Sequence, residues 1–174
     1  MQQHREESSR TAAQYLGFMY EHGYGVDKDL KQAILCYTKA HENGVPLATY
    51  NIAVLYERGG EGVAKDYESA LFNYKNADGQ GVDNAAYRIG RIYERGGYGV
   101  AQDNGKALDW YQKALRQGVP GASNRILTMC LDGRAAEVNR KFAREYLTEA
   151  AKDGNHKAKV ILEGIAFDAL AQKN

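Results

Sequence analysis

Apolar residues in this chain fall into short runs of helical period, and glycine-rich phrases separate the runs. Ile52, Leu55 and Tyr56, or Ile89, Ile92 and Tyr93, stand three or four positions apart, which places them on one face of a helix. A small residue sits beside each run (Gly17, Ala53, Gly90), so a neighbouring helix is predicted to approach closely there. A second run carries Ala, Tyr and Ala on one face, as in Ala70, Tyr74 and Ala77 or Ala107, Tyr111 and Ala114. Between the runs the chain spells Tyr20-Glu-His-Gly-Tyr-Gly-Val26, then Tyr56-Glu-Arg-Gly-Gly-Glu-Gly-Val63, then Tyr93-Glu-Arg-Gly-Gly-Tyr-Gly-Val100.

These punctuation marks have predictable roles. Gly23, Gly59 and Gly96 follow the first run, where a residue at positive φ can end a helix without steric penalty. The valine closing each phrase is expected to tuck under the turn. Asp29, Asp66 and Asp103, with Asn139 in a worn fourth copy, can accept the orphan backbone N–H groups that open the second helix. Gly44, Gly81, Gly118 and Gly154 should stop it, and Pro46 and Pro120 suit the opening turn of the next first helix.

The period is 37 residues for Val26, Val63 and Val100, and the fourth copy follows the third after 36, at Asn139, Ala143, Leu147, Ala150 and Gly154. A lone helix over 158–170 then resembles the first half of a fifth unit, a common cap for a stack. The expected organisation is a polar tail or helix remnant at 1–10 and one repeat domain at 11–174. Its units lie at about 11–46, 47–83, 84–120 and 121–156, with a capping helix at 157–172. Nine helices in four antiparallel pairs plus the terminal helix, without a sheet, make an all-α superhelical solenoid.

The stretch from Ala48 to Ala77 reads Ala-x-Tyr-Asn-Ile-Ala-x-Leu-Tyr-x-x-Gly-x-x-Gly-Val-x-x-Asp-x-x-x-Ala-x-x-x-Tyr-x-x-Ala, and it resembles the Sel-1-like repeat, a relative of the tetratricopeptide repeat. The resemblance runs over residues 11–170, and the paired glycines and aspartate separate it from the shorter tetratricopeptide unit of about 34 residues. It implies a non-catalytic adaptor that holds a protein partner on a concave face lined by first helices. Relatives serve in bacterial signalling, envelope assembly, host interaction and toxin neutralisation. The fourth unit departs from the pattern, with Cys130 for the helix tyrosine and Ala136 for the turn valine, which puts its turn geometry in question.

Composition narrows the field. A net charge of +1 gives no bulk attraction to nucleic acid or membrane, and no stretch approaches the roughly 18 apolar residues of a membrane span. The 44% hydrophobic content can fill a continuous core. The start carries no apolar run of a signal peptide, and Cys36 and Cys130 have neither metal spacing nor the per-repeat disulfide spacing of some secreted relatives. A cytoplasmic location is expected, or a periplasmic or secreted one if an export signal has been removed.

Catalytic templates fail. Gly99 to Lys106 has one residue too many for a phosphate loop, and Ala107 stands where its hydroxyl belongs. Asp27-Lys-Asp29 opens like a calcium loop but has Gln32 where that loop needs glycine. His4, His22, His41 and His156 are scattered and read as solvated. Glu21, Glu57 and Glu94 recur with the unit, so acid–base chemistry is not needed to explain them. No cofactor and no metal are expected.

The candidate partner surface follows from the residues flanking Leu16, Ile52, Ile89 and Ile126, which are expected to be buried. One row is Gln14, Tyr50, Tyr87 and Asn124; the next is Phe18, Val54, Arg91 and Thr128; a third is His22, Arg58, Arg95 and Asp132. The units differ most here, whereas the shared Tyr20, Tyr56 and Tyr93 read as core. Tyr50 and Tyr87 can be binding anchors or helix-packing rings. Arg58, Arg91 and Arg95 can form a basic spot or pair with Glu57 and Glu94. Two functions remain open: a scaffold that takes a protein or peptide, and an inhibitor that covers a partner toxin's active site.

Overall fold

The computed structural model describes the backbone of residues 2–171 and the side chains of residues 11–164. The helices are α1 (Gln2–His22), α2 (Leu30–Glu42), α3 (Pro46–Arg58), α4 (Tyr67–Gly79), α5 (Asn84–Arg95), α6 (Asn104–Arg116), α7 (Ala122–Leu131), α8 (Arg134–Lys152) and α9 (His156–Ala171). Each packs mainly on its neighbours in the chain, as a solenoid requires. The described residues form no sheet; two isolated bridges, Gly60 with Val63 and Gly97 with Val100, pin the glycine phrases. The segment expected as a tail or helix remnant is helical from Gln2 onward. The side chain of His4 and residue 172 lie outside the described residues.

The turn inside each of the first three units is closed by backbone and aspartate together. Asp29, Asp66 and Asp103 donate their N–H to the carbonyls of Tyr20, Tyr56 and Tyr93 at 2.9, 2.9 and 2.8 Å. Their carboxylates accept from the first turn of the second helix: Lys31 and Gln32, Ser69, and Lys106, at 2.8 to 3.0 Å. The end of one helix is thereby tied to the start of the next. Gly59 and Gly96 make this reversal possible at φ 65° and 64°; a Cβ there would stand 2.9 Å from the Lys65 nitrogen and 2.7 Å from that of Gln102. Val63 is buried beneath its turn, as expected, while Val26 and Val100 are half-buried.

Second helices end in a repeated left-handed cap. Gly44, Gly81 and Gly118 adopt φ 80°, 83° and 73°. Val45, Val82 and Val119 then donate back to the carbonyls of Ala40, Ala77 and Ala114, the longer bond of a Schellman motif. Pro46 occupies the first turn of α3. Pro120 does not do so for α7: Gly121, at φ 88°, intervenes, and the helix opens only at Ala122.

The core is a column of tyrosines. Tyr37, Tyr74 and Tyr111 are fully buried, and they explain the small residues opposite. A Cβ on Gly17 or Gly90 would fall 2.7 or 2.8 Å from the ring of Tyr37 or Tyr111. Tyr20, Tyr56 and Tyr93 are half-buried against the same clusters. Leu16 departs from expectation: it is 40% exposed, while Ile52, Ile89 and Ile126 are buried. Ile52 packs with Tyr37 and Ala40 of the preceding second helix, and among the described residues no helix precedes α1. His41 is also not simply solvated; it is half-buried and shares a 2.7 Å hydrogen bond with the buried Thr49 hydroxyl.

The fourth unit keeps its helices and changes its turn. Residues 134–138 are helical instead of looped, and Asn139 interrupts α8 at φ −148°, ψ 90°. Its side chain still caps, accepting the Phe142 N–H at 3.0 Å.

Gly96→Ala should destabilise the fold by about 2 kcal/mol or more, because the new methyl meets backbone at a positive φ. Gly79→Ala, helical with open space around it, should be neutral or stabilising by up to about 1 kcal/mol. Urea denaturation of the two variants checks the contrast; equal effects would refute this account of the turn.

Candidate functional site

The glutamate of each glycine phrase is a structural hub. Hydroxyls of the buried tyrosines donate to it: Tyr37 to Glu21 at 2.9 Å, Tyr74 to Glu57 at 2.6 Å and Tyr111 to Glu94 at 2.6 Å. An arginine from the following first helix takes the same carboxylate. Arg58 reaches Glu21 at 3.2 Å, Arg88 reaches Glu57 at 3.4 Å, and Arg125 bonds Glu94. Arg134, at the start of α8, adds a contact to Glu94 at 2.7 Å and another to Asp132 at 2.6 Å. These bridges link α1 to α3, α3 to α5 and α5 to α7, so the first helices lie side by side with one shared face.

The electrostatics follow from burial and pairing. Burial alone would raise the Glu94 carboxyl, but hydrogen bonds from Tyr111, Arg134 and Arg125 outweigh it and hold the group below the usual carboxylate range. Desolvation, then the adjacent glutamate, pushes the hydroxyls of Tyr37, Tyr74 and Tyr111 well above the ordinary phenol value. Each tyrosine therefore stays a donor and Glu94 stays an acceptor. An unpaired buried carboxylate would be strongly destabilising, so the arginines are needed wherever the glutamates are.

The expected rows occupy this face with unequal exposure. Gln14, Tyr50 and Tyr87 are half-buried and Asn124 is exposed. The Tyr50 ring packs edge-on against Tyr74 at 5.3 Å, and Tyr87 packs on Tyr111 at 5.6 Å. Tyr50 also accepts a hydrogen bond from Arg88 at 3.2 Å. Both tyrosines thus carry a packing role. Phe18 is 44% exposed, Val54 and Arg91 are half-buried, and Thr128 is exposed. His22, Arg58, Arg95 and Asp132 are exposed. At the first unit the rings of Phe18, His22 and Tyr24 gather, with Phe18 and His22 centroids 4.1 Å apart and His22 stacked on Tyr24 at 5.5 Å.

Of the two readings of the arginines, pairing with Glu57 and Glu94 is not what forms; Arg58 meets Glu21 instead. Arg91 and Arg95 make no ion pair among the described residues; Glu57 and Glu94 are already held by Arg88, Arg125 and Arg134. The residues overlooked were Arg88 and Arg125. Their signal was present, since they stand one 37-residue period apart.

Among the described residues no group of three or more His, Cys, Asp or Glu could hold a metal ion, and no helix is long and apolar enough to cross a membrane. Cys36 and Cys130 are free and buried; burial pushes the Cys130 thiol up to about 11.

Helical hairpins stacked at a 37-residue period, with their first helices bridged along one face, define an α-solenoid of two-helix repeats. The family model of the Sel1 repeat matches residues 11–45, 46–77, 83–119 and 128–155, and the chain belongs to that family. Among solved structures it is similar to a Sel1 repeat protein from Oxalobacter formigenes, with 28% identity and a TM-score of 0.64 over 88% of this chain and 62% of that one. It is also similar to c5321, a protective antigen present in uropathogenic Escherichia coli strains and displaying an SLR fold. That match has 30% identity and a TM-score of 0.68 over 94% of this chain and 35% of that one. The chain thus spans less than two thirds of the first and about a third of the second. A comparison with curated proteins finds no match.

Two outcomes follow for the hub. Because the Glu94 carboxyl is depressed in the fold, its contribution is complete above the unfolded value of about 4.3 and is lost as pH falls through the lower folded value. Melting temperature should therefore drop more steeply below about pH 4.3 in the parent protein than in Glu94→Gln. At pH 7, Glu94→Ala should destabilise by about 3 kcal/mol, since it strands the Tyr111 hydroxyl and removes the shared partner of two arginines. Parallel melting curves with no difference between parent and Glu94→Gln would refute the depressed carboxyl.

Proposed function

We propose that this protein is a non-catalytic interaction scaffold whose first-helix face holds a segment of a protein partner. The supporting observation is the contrast between two sets of positions on that face. Glu21, Glu57 and Glu94 repeat and are consumed by tyrosine and arginine partners, whereas Phe18, Val54, Arg91 and Thr128 differ from unit to unit and keep accessible surface. Positions that vary between units while keeping accessible surface are the ones free to set specificity.

Membership of the Sel1 repeat family supports the same reading, because stacked helical repeats present an extended surface suited to a peptide or a helix. The recurrent carboxylates are poorly placed for acid–base work. Glu94 is held ionised by three donors, so it has no proton to give near neutral pH.

The test compares two variants with the parent in quantitative affinity capture from extract of the native host. The first combines Phe18→Ser, Arg91→Ala and Thr128→Lys; the second combines Leu35→Ser and Phe72→Ser, exposed side chains of the second helices α2 and α4. Proteins captured by the parent should be lost with the first variant, by at least about tenfold if hot-spot side chains are removed, and retained with the second. The opposite pattern, with both variants melting like the parent, would contradict the proposal.

A further inference from the structure

The first-helix face is polarised from one end to the other. At the first unit it is aromatic and accessible: Tyr15 is 65% exposed and Phe18 44%, and the ring of Tyr24, from the turn after α1, lies 5.7 Å from that of Phe18. At the third unit it is cationic. The carboxylates of the face, Glu21, Glu57, Glu94 and Asp132, each have an arginine of their own in Arg58, Arg88, Arg125 or Arg134. Among the described residues Arg91 and Arg95 pair with no carboxylate, and they stand one turn apart on α5. Two uncompensated positive charges on one helix face are a local surplus in a chain whose whole net charge is +1.

We propose, resting on the scaffold reading above, that the partner segment is acidic at one end and aromatic or bulky apolar at the other. Its carboxylates sit on Arg91 and Arg95, and its apolar side chain lies against the rings of Phe18 and Tyr24. Arginine favours this assignment because its planar fork recognises carboxylates through paired hydrogen bonds. The internal ladder shows this chemistry in use, with Arg134 bonding the carboxylates of both Glu94 and Asp132.

Phe18 and Arg91 occupy equivalent positions two units apart, so a segment that reaches both subsites runs across the first helices.

The experiment is a selection of random twelve-residue peptides on the immobilised protein. Enriched peptides are then synthesised with a fluorescein label and titrated by fluorescence anisotropy. Enrichment in Asp and Glu together with Phe, Trp or Leu is the expected result. Binding should weaken at least about tenfold in Arg91→Glu with Arg95→Glu. It should also weaken in Phe18→Ser, and in the parent protein as salt is raised from about 0.05 to 0.5 M. The salt titration needs no variant, so it decides the matter even if a substitution disturbs folding. Neutral or basic peptides, an absence of enrichment, or binding indifferent to salt would overturn the proposal. Peptides lost in Phe18→Ser yet indifferent to both arginines and salt would overturn the acidic partner while leaving the scaffold face standing. Peptides indifferent to every one of these changes would overturn both.

Discussion

A buried tyrosine hydroxyl donating to a glutamate at the end of the preceding helix is the contact on which the stack depends. In each of the first three units the ring fills the space left by Gly17, Ala53 or Gly90, and the hydroxyl meets Glu21, Glu57 or Glu94. Packing alone would leave a buried donor unsatisfied, and a glutamate alone would leave a buried charge. Together they satisfy one another, and the remaining carboxylate capacity is turned outward to an arginine of the next unit. The same carboxylate therefore closes a hairpin and registers it against its neighbour.

This arrangement divides the labour among side chains on the first helices. Residues that close the hairpin repeat, Glu21, Glu57 and Glu94 with Tyr37, Tyr74 and Tyr111, because any change would strand a partner. Residues one turn away from them hold no such partner, and they vary from Phe18 through Val54, which packs on the neighbouring cluster yet keeps accessible surface, and Arg91 to Thr128. Specificity can thus be written on a scaffold without altering it. Tyr50 and Tyr87 fall between the two classes, since each ring packs on Tyr74 or Tyr111 and the residue is only half-buried.

Much of this was legible in the sequence because the period averages over individual residues. The helices, the aspartate caps, the glycine stops and the close approach at Gly17 and Gly90 all follow from local rules applied at a fixed interval. What was not legible depended on neighbours in space. Leu16 looks like Ile52 in sequence, yet its burial needs a helix that only a preceding unit supplies. The partner of each glutamate depended on which arginine could reach it: Arg91 and Arg95 are nearer in sequence to Glu94, but Arg125 and Arg134 come from other helices and take its carboxylate. Pro120 was misplaced because the left-handed Gly121 delays the helix, a choice that local proline preference does not reveal.

The central claim is that this ladder serves the fold and leaves the neighbouring row of the first helices for a partner. Amide hydrogen exchange of the protein with and without a bound partner segment tests it most directly. Added protection should concentrate on α1, α3 and α5, around Phe18, Val54 and Arg91, with α2 and α4 unchanged. Protection centred on Leu35 and Phe72 of the second helices, with the first helices unaffected, would contradict it.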